Sequence, residues 1–194
     1  MSESSGSGQP AYQQTLDEIL RLFSAHGDSQ YGREVVTQRE HALQCAALAE
    51  QAQAPPTLIA AALLHDIGHL LHNLPDDAPD EGIDDAHEEL AGQWLRERFP
   101  ASVSEPVRLH VAAKRFLCAT DSDYHAQLSP PSQQSLQLQG GPMSTAEVMQ
   151  FQSHPFSRDA IALRRWDDTA KIPGHPTPGV QHYAPIIVHV LEAS

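Results

Sequence analysis

The sequence predicts an all-α fold, a helical bundle, and three observations predict it. Apolar residues recur at the 3.6-residue period through most of the chain, and no convincing alternating run marks a strand. Pro and Gly fall mainly between those periodic stretches, as punctuation does. One stretch, Thr57 to Leu71, is apolar almost all round, the pattern of a buried central helix. With 40% apolar and 19% charged residues in a chain of 194, the composition suits one globular domain with a substantial core.

The elements follow in order. Residues 1–10, MSESSGSGQP, are small and polar and are expected to be a disordered tail, leaving 11–194 as a single domain. A first helix is expected over Thr15 to Ala25, with Leu16, Ile19, Leu20 and Phe23 on one face and His26-Gly27-Asp28 ending it. A second covers about Thr37 to Gln53 and stops before Pro55-Pro56, and the third is the apolar run to Leu71. An acidic loop with Pro75, Pro79 and Gly82 follows, and Asp84 or Asp85 would cap a fourth helix reaching Phe99. Ser104-Glu105-Pro106 is expected to open a fifth helix to about Ala119, since proline is tolerated in a first turn. Residues 121–141 read as short helical turns and loop. Ser144 to Gln150 and Phe156 to Lys171 complete the helices, before a Pro- and Gly-rich tail whose one apolar stretch is Ile186 to Leu191.

Charge excludes some functions. A formal net charge of −13 is the wrong sign for a nucleic-acid binder, which must neutralise phosphates. No apolar run approaches the roughly 20 residues of a membrane span, and no signal peptide is visible, so a cytoplasmic protein is expected. The two cysteines, Cys45 and Cys118, lie inside apolar helical patterns and read as reduced core thiols.

The anomaly is twelve histidines against twelve Lys plus Arg. His41 lies mid-helix, His65-Asp66 ends the apolar run, His87 opens a helix, His110 sits within another, and Asp167 lies near the end of RRWDD. Any one of these is ordinary. Together they are not. Neighbours on a helix point about 100° apart, which suits His65 and Asp66 as two ligands of one metal, or an aspartate bridging two. A carboxylate at the end of AALLHDIGHLL is costly unless paired or coordinated. Imidazoles and carboxylates without thiolate suit iron, manganese or zinc, and six ligands exceed one tetrahedral zinc site. Lys114 lies one turn beyond His110, and Arg164 shares Asp167's helix face, so both are candidates for binding an anion. Ser132 and Ser135 offer hydroxyls to the same anion. His72 reads as solvated, and His125, His154, His175, His182 and His189 as structural or exposed.

The order His, His-Asp, His, His and a distant Asp resembles the HD-domain superfamily, helical proteins that mostly hydrolyse phosphate esters. More closely, it resembles the mixed-valent diiron oxygenases acting on 2-amino-1-hydroxyethylphosphonate and, more remotely, on myo-inositol. The resemblance spans Tyr31 to Lys171 and includes the runs YGREVVTQREH and QGGPMS, the latter from Gln139. It implies an HD-domain bundle with two Fe ions, Fe(II)/Fe(III). His41, His65, Asp66 and Asp167 would hold one; Asp66, His87 and His110 would hold the other. Asp168 stays open as the last ligand, with Asp167 preferred because Asp167 and Lys171 meet the family's D-x-x-x-K spacing. The resemblance further implies that Tyr31 caps an iron and gives way to substrate, supported by Glu34, while His69 and Lys114 face the substrate. From their placement alone, Arg164 and Ser132 are candidates to join them in binding it. The implied reaction is C–P cleavage of a 1-hydroxyphosphonate with O2 to a carboxylic acid and phosphate. The competing expectation is an HD phosphohydrolase acting on a nucleotide or small phosphate ester.

Overall fold

Helix α1 (Ala11–His26) turns Leu16, Ile19 and Phe23 inward from one face. In a computed structural model of the chain, which describes residues 9–32, 34–71 and 87–193 without the side chains of His87 and Glu88, it is the first of twelve helices. The described residues contain no strand, only an isolated bridge between Gln30 and Thr37 that closes a turn after α1. The tail before Gln9, His72, the acidic loop and its Asp84 or Asp85 cap lie outside the described residues.

Helix α2 (Gln38–Gln51) begins with a capping box. Thr37 accepts from the Glu40 N–H at 3.2 Å, and Glu40 accepts from the Thr37 N–H at 2.9 Å. His41 is the next residue, so this cap also fixes where its ring starts. Thr37→Ala is expected to cost about 1 kcal/mol in thermal or denaturant unfolding, with a frayed first turn under His41. Helix α3 (Pro56–Leu64) has proline in its first turn and is buried from Leu58 to Leu64. Ala42, Ala46 and Ala49 let α2 lie close against Ala60, Ala61 and Ala62 in the same core. Ile59, Leu63 and Leu64 each stabilise the fold by about 1.5–3 kcal/mol through burial.

The chain continues as α4 (Ile67–Leu71), α5 (His87–Arg96), α6 (Ala101–Arg108), α7 (His110–Thr120), α8 (Ser122–Gln127), α9 (Pro130–Leu138), α10 (Thr145–Ser153), α11 (Ser157–Thr169) and α12 (Val180–Glu192). Three expectations need correction. The run to Leu71 is two helices, because the backbone turns at His65-Asp66 while the apolar period continues through Ile67 and Leu70. The fifth expected helix starts earlier, behind Pro100, so Pro106 lies inside α6. It then breaks at Leu109, where φ is −95° and ψ −3°, giving α6 and α7. The tail ends in a full helix, α12, whose Tyr183, Ile187 and Val190 are buried in the main core with residues of α1 and α3.

That main core is built chiefly from α1, α2, α3, α5, α6 and α12. A smaller cluster of Leu109, Ala113, Phe116, Leu117, Phe151 and Ala160 joins α7, α10 and α11. Cys45 and Cys118 are both free and buried. No helix among the described residues is long and apolar enough to cross a membrane.

Candidate metal centre

Three helix C-termini supply the backbone for this site. The last turn of a helix leaves carbonyls without intrahelical partners, and the helix dipole makes that end favourable for cations. Each of three histidines uses such a carbonyl. His65, just past α3, donates from Nδ1 to Ala62 O at 2.9 Å, and His110, just past α6, donates from Nδ1 to Val107 O at 2.7 Å. His41 donates from Nδ1 to Ala170 O, the residue capping α11, at 2.8 Å. A carbonyl can only accept, so all three protons must sit on Nδ1 and all three Nε2 atoms are left to face inward. The two breaks that sequence periodicity hides are thus the features that aim His65 and His110.

The inward atoms converge on carboxylates. Asp66 Oδ2 lies 3.0 Å from His65 Nε2 and 3.4 Å from His41 Nε2, while Asp66 Oδ1 lies 3.6 Å from His110 Nε2. The two oxygens of one carboxylate therefore address different imidazoles. Asp167 Oδ1 lies 3.4 Å from His41 Nε2. Asp168 instead pairs with Arg164 and Tyr124, so of the two aspartates it is Asp167 that faces the cluster. His41, His65, Asp66 and Asp167 are all buried, and the first three form a group close enough to share one ion.

Electrostatics agree with a cation site. Burial disfavours charge on His41, yet Asp167 and Asp66 outweigh it and raise this ring to about 9. Burial likewise opposes charge on His65, and Asp66 chiefly reverses it, raising the ring to about 10. Without metal, protons occupy positions that the carboxylates reserve for positive charge. With Nδ1 committed to carbonyls, His41 and His65 set their Nε2 atoms only 3.1 Å apart, an arrangement two lone pairs tolerate only with a cation between or beside them. The nitrogen and oxygen donor set fits iron, manganese or zinc.

Tyr31 covers this cluster. Its ring stacks on His41 with centroids 3.8 Å apart, and its hydroxyl reaches Asp167 Oδ1 at 3.4 Å. Burial first, then Asp167 and Asp66, push its phenol well above the ordinary range. The residue sits on a tight turn in which Gly32 adopts a φ of +52°, a left-handed conformation that favours glycine. His69 lies edge-on to the same tyrosine, 6.4 Å between ring centres.

Three cations lie near the cluster, Lys114, Lys171 and Arg164. Lys114 is only 2% exposed and donates to Ser135 Oγ at 2.8 Å. Burial, then repulsion from Arg164, lowers this ammonium to about 7. Lys171 donates to Ser132 Oγ at 3.0 Å and to Glu34 Oε1 at 2.9 Å, and Glu34 Oε1 also accepts from Ser129 Oγ at 2.6 Å. Arg164 Nη1 pairs with Asp167 Oδ2 at 2.8 Å, and its other nitrogens hold Asp168. Arg164 leads the attractions that outweigh burial and keep Asp167 ionised. It also leaves only Oδ1 directed at His41.

Sequence reading missed this relay from Tyr124 through Asp168 and Arg164 to Asp167; the adjacent acids in RRWDD were the available signal. Asp168→Ala is expected to weaken metal binding about 10- to 100-fold by loosening Arg164, measured by competition with a chelator. Lys171 entered the sequence reading only as a spacing mark, not as the partner of Glu34. The QGGPMS run anchors to α7 instead of entering the cluster. Arg115 Nε donates to Gly141 O at 2.8 Å, and Met143 N–H donates to Arg115 O at 3.2 Å. The side chain of His87 lies outside the described residues.

Residues 39–170 match the family model described as HD domain. The chain is 44% identical over 180 residues to hydroxymethylphosphonate dioxygenase of Gimesia maris, covering 92% of this chain and 89% of that protein. It is 42% identical over 177 residues to the glycine-betaine-forming [1-hydroxy-2-(trimethylamino)ethyl]phosphonate dioxygenase of Leisingera caerulea, covering 91% and 90%. An uncharacterized protein of Acanthamoeba polyphaga mimivirus, L432, is 33% identical over 93% of this chain and 84% of its own. The chain belongs to the HD-domain family, among relatives that include hydroxyphosphonate dioxygenases.

Proposed function

We propose that this protein is a diiron oxygenase that cleaves the C–P bond of a 1-hydroxyphosphonate. The overall change is R–CH(OH)–PO3H2 + O2 → R–COOH + H3PO4, in which C1 is oxidised, O2 is reduced and phosphorus leaves as phosphate. Kinship with two hydroxyphosphonate dioxygenases supports the reaction class. The observation that carries the metal reading is Asp66, whose two oxygens face separate imidazole groups.

In this reading His41, His65, Asp66 and Asp167 hold one iron, and Asp66, His87 and His110 hold the second. When bound as Fe(II)/Fe(III), the pair would supply the redox chemistry and a chelating point for the substrate's oxygens. The protein's residues do the rest. Tyr31 closes the cluster against water and yields its place to the substrate, with Glu34 on the same turn. His69 faces the C1 hydroxyl. Lys114 offers an ammonium that donates to the Ser135 hydroxyl among the described residues, so a dianion can recruit both its charge and a proton. Arg164 keeps Asp167 ionised and adds positive field on the phosphonate side, and Ser132 offers its hydroxyl there. The substrate, O2 and the dimetal pair complete the set of partners.

The experiment is aerobic incubation of iron-loaded protein with 1-hydroxyphosphonates, following released phosphate and consumed O2. One phosphate per O2, and none under argon, is the expected result. Phosphate release under argon, or with manganese alone, would replace this reading by a hydrolytic one.

A further inference from the structure

Past the last turn of α11, no described strand pairs with residues 170–172. Their peptide groups find partners instead on α2. His41 Nδ1 donates to Ala170 O at 2.8 Å. Gln44, three residues further on and only 3% exposed, binds Ile172 twice. Its Nε2 donates to Ile172 O at 2.9 Å, and its Oε1 accepts from the Ile172 N–H at 3.1 Å. Residues three apart on a helix share a face, so the two side chains grip alternate residues of one segment. A glutamine amide carries donor and acceptor on one fork, which a carboxylate or an apolar side chain of that length lacks.

The grip reaches the metal cluster at two points. Ala170 O is the acceptor that turns His41 Nε2 towards Asp66 and Asp167. Asp167 stands three residues before Ala170, in the last turn of α11, and the Ala170 N–H donates to Asp167 O at 3.2 Å. Fixing Ile172 therefore fixes the end of α11 against α2, with one candidate ligand on each helix. His110 is aimed separately, by Val107 O at the end of α6.

Resting on the reading that His41 and Asp167 hold one ion of a pair, we propose that Gln44 is a positioning residue for that ion alone. It acts through the backbone of residues 170–172 and not by contact with the ion. By pinning Ile172 it keeps Ala170 O beside the His41 ring, and so keeps His41 Nε2 and Asp167 Oδ1 aimed at one point. A mere strut between helices would lower stability and disturb both ions alike. This role is one-sided.

The test is stepwise Fe(II) binding under argon, by competition with a chelator, for the native protein, Gln44→Leu, Gln44→Ala and Leu43→Ala. Leu43 packs in the main core from the same helix, so its loss supplies a control destabilised by a cavity. Gln44→Leu is expected to weaken one of the two ions about 10- to 100-fold and leave the other within about 3-fold, whereas Leu43→Ala leaves both within about 3-fold. In zinc-loaded protein, NMR should show the His41 Nδ1 proton exchanging at least about 10-fold faster in Gln44→Leu, with those of His65 and His110 unchanged. Both ions weakened equally, neither weakened, or a His41 proton exchanging at the native rate overturns the proposal. Gln44→Ala leaves room for water at the Ile172 peptide groups, and it decides by the same measures if Gln44→Leu does not fold. A native protein that binds a single iron would end the two-iron reading. A loss of at least about 10-fold on that ion, with the faster His41 proton, would still support Gln44, and no loss would overturn it.

Discussion

Replacing Asp66 by Ala is expected to leave a folded helical protein that binds no metal pair, with turnover at the level of metal-free protein. The carboxylate lies between two groups of imidazoles, with Oδ2 towards His41 and His65 and Oδ1 towards His110. No other described carboxylate has both oxygens so placed; Asp167 has Oδ2 held by Arg164. The fold should survive because His41 and His65 are kept charged largely by neighbouring aspartates, and without Asp66 they can shed protons instead of staying as uncompensated ions. Circular dichroism and metal analysis of the same sample check both halves. Retained metal at the wild-type level would remove Asp66 from the bridge.

Lys114→Met is expected to raise the stability of the metal-free protein while crippling substrate binding. The native ammonium is buried and repelled by Arg164, which lowers it from its ordinary value to about 7. That displacement corresponds to a penalty on the order of 5 kcal/mol for the charged form. The sign follows from proton counting. Below pH 7 the lysine is charged in both folded and unfolded chains, so the penalty is present in full. Between about 7 and the ordinary lysine value of 10.5 the unfolded chain holds more protons, so stability of the native sequence rises with pH. The stability advantage of Lys114→Met should therefore be full below pH 7 and fade as pH rises towards 10.5. Against that gain, loss of a buried charged donor should cost about 2–5 kcal/mol of phosphonate binding, at least 30-fold in kcat/KM. A variant no more stable than the original, or one with unchanged kcat/KM, would contradict the role given to Lys114. Such a trade of stability for function is common at binding sites.

Much of this was legible in the sequence because candidate ligands leave strong marks. An aspartate at the end of an apolar run must be paired or coordinated, and the histidine beside it has to point elsewhere. The all-helical class was equally legible, since periodicity survives even where the backbone breaks. That same persistence hid the turns at His65-Asp66 and Leu109, because residues on either side keep the apolar period. The turns matter: they free the carbonyls of Ala62 and Val107 that aim two of the rings. Pro106 misled for a related reason, as its tolerance in a first turn suggested a start that Pro100 provides instead. Long-range pairs were beyond reach. Glu34 and Lys171 are 137 residues apart, and Tyr124 and Asp168 are 44 apart, so no local pattern joins them. The choice between Asp167 and Asp168 likewise required the direction of two neighbouring side chains, which Arg164 sets.

The most direct measurement is the number of iron ions per chain in protein loaded anaerobically and freed of excess metal. Two per chain are expected for the native sequence, falling together with turnover in Asp66→Ala. One ion or none in the native protein, under conditions where it releases phosphate from a hydroxyphosphonate, would contradict a carboxylate-bridged pair.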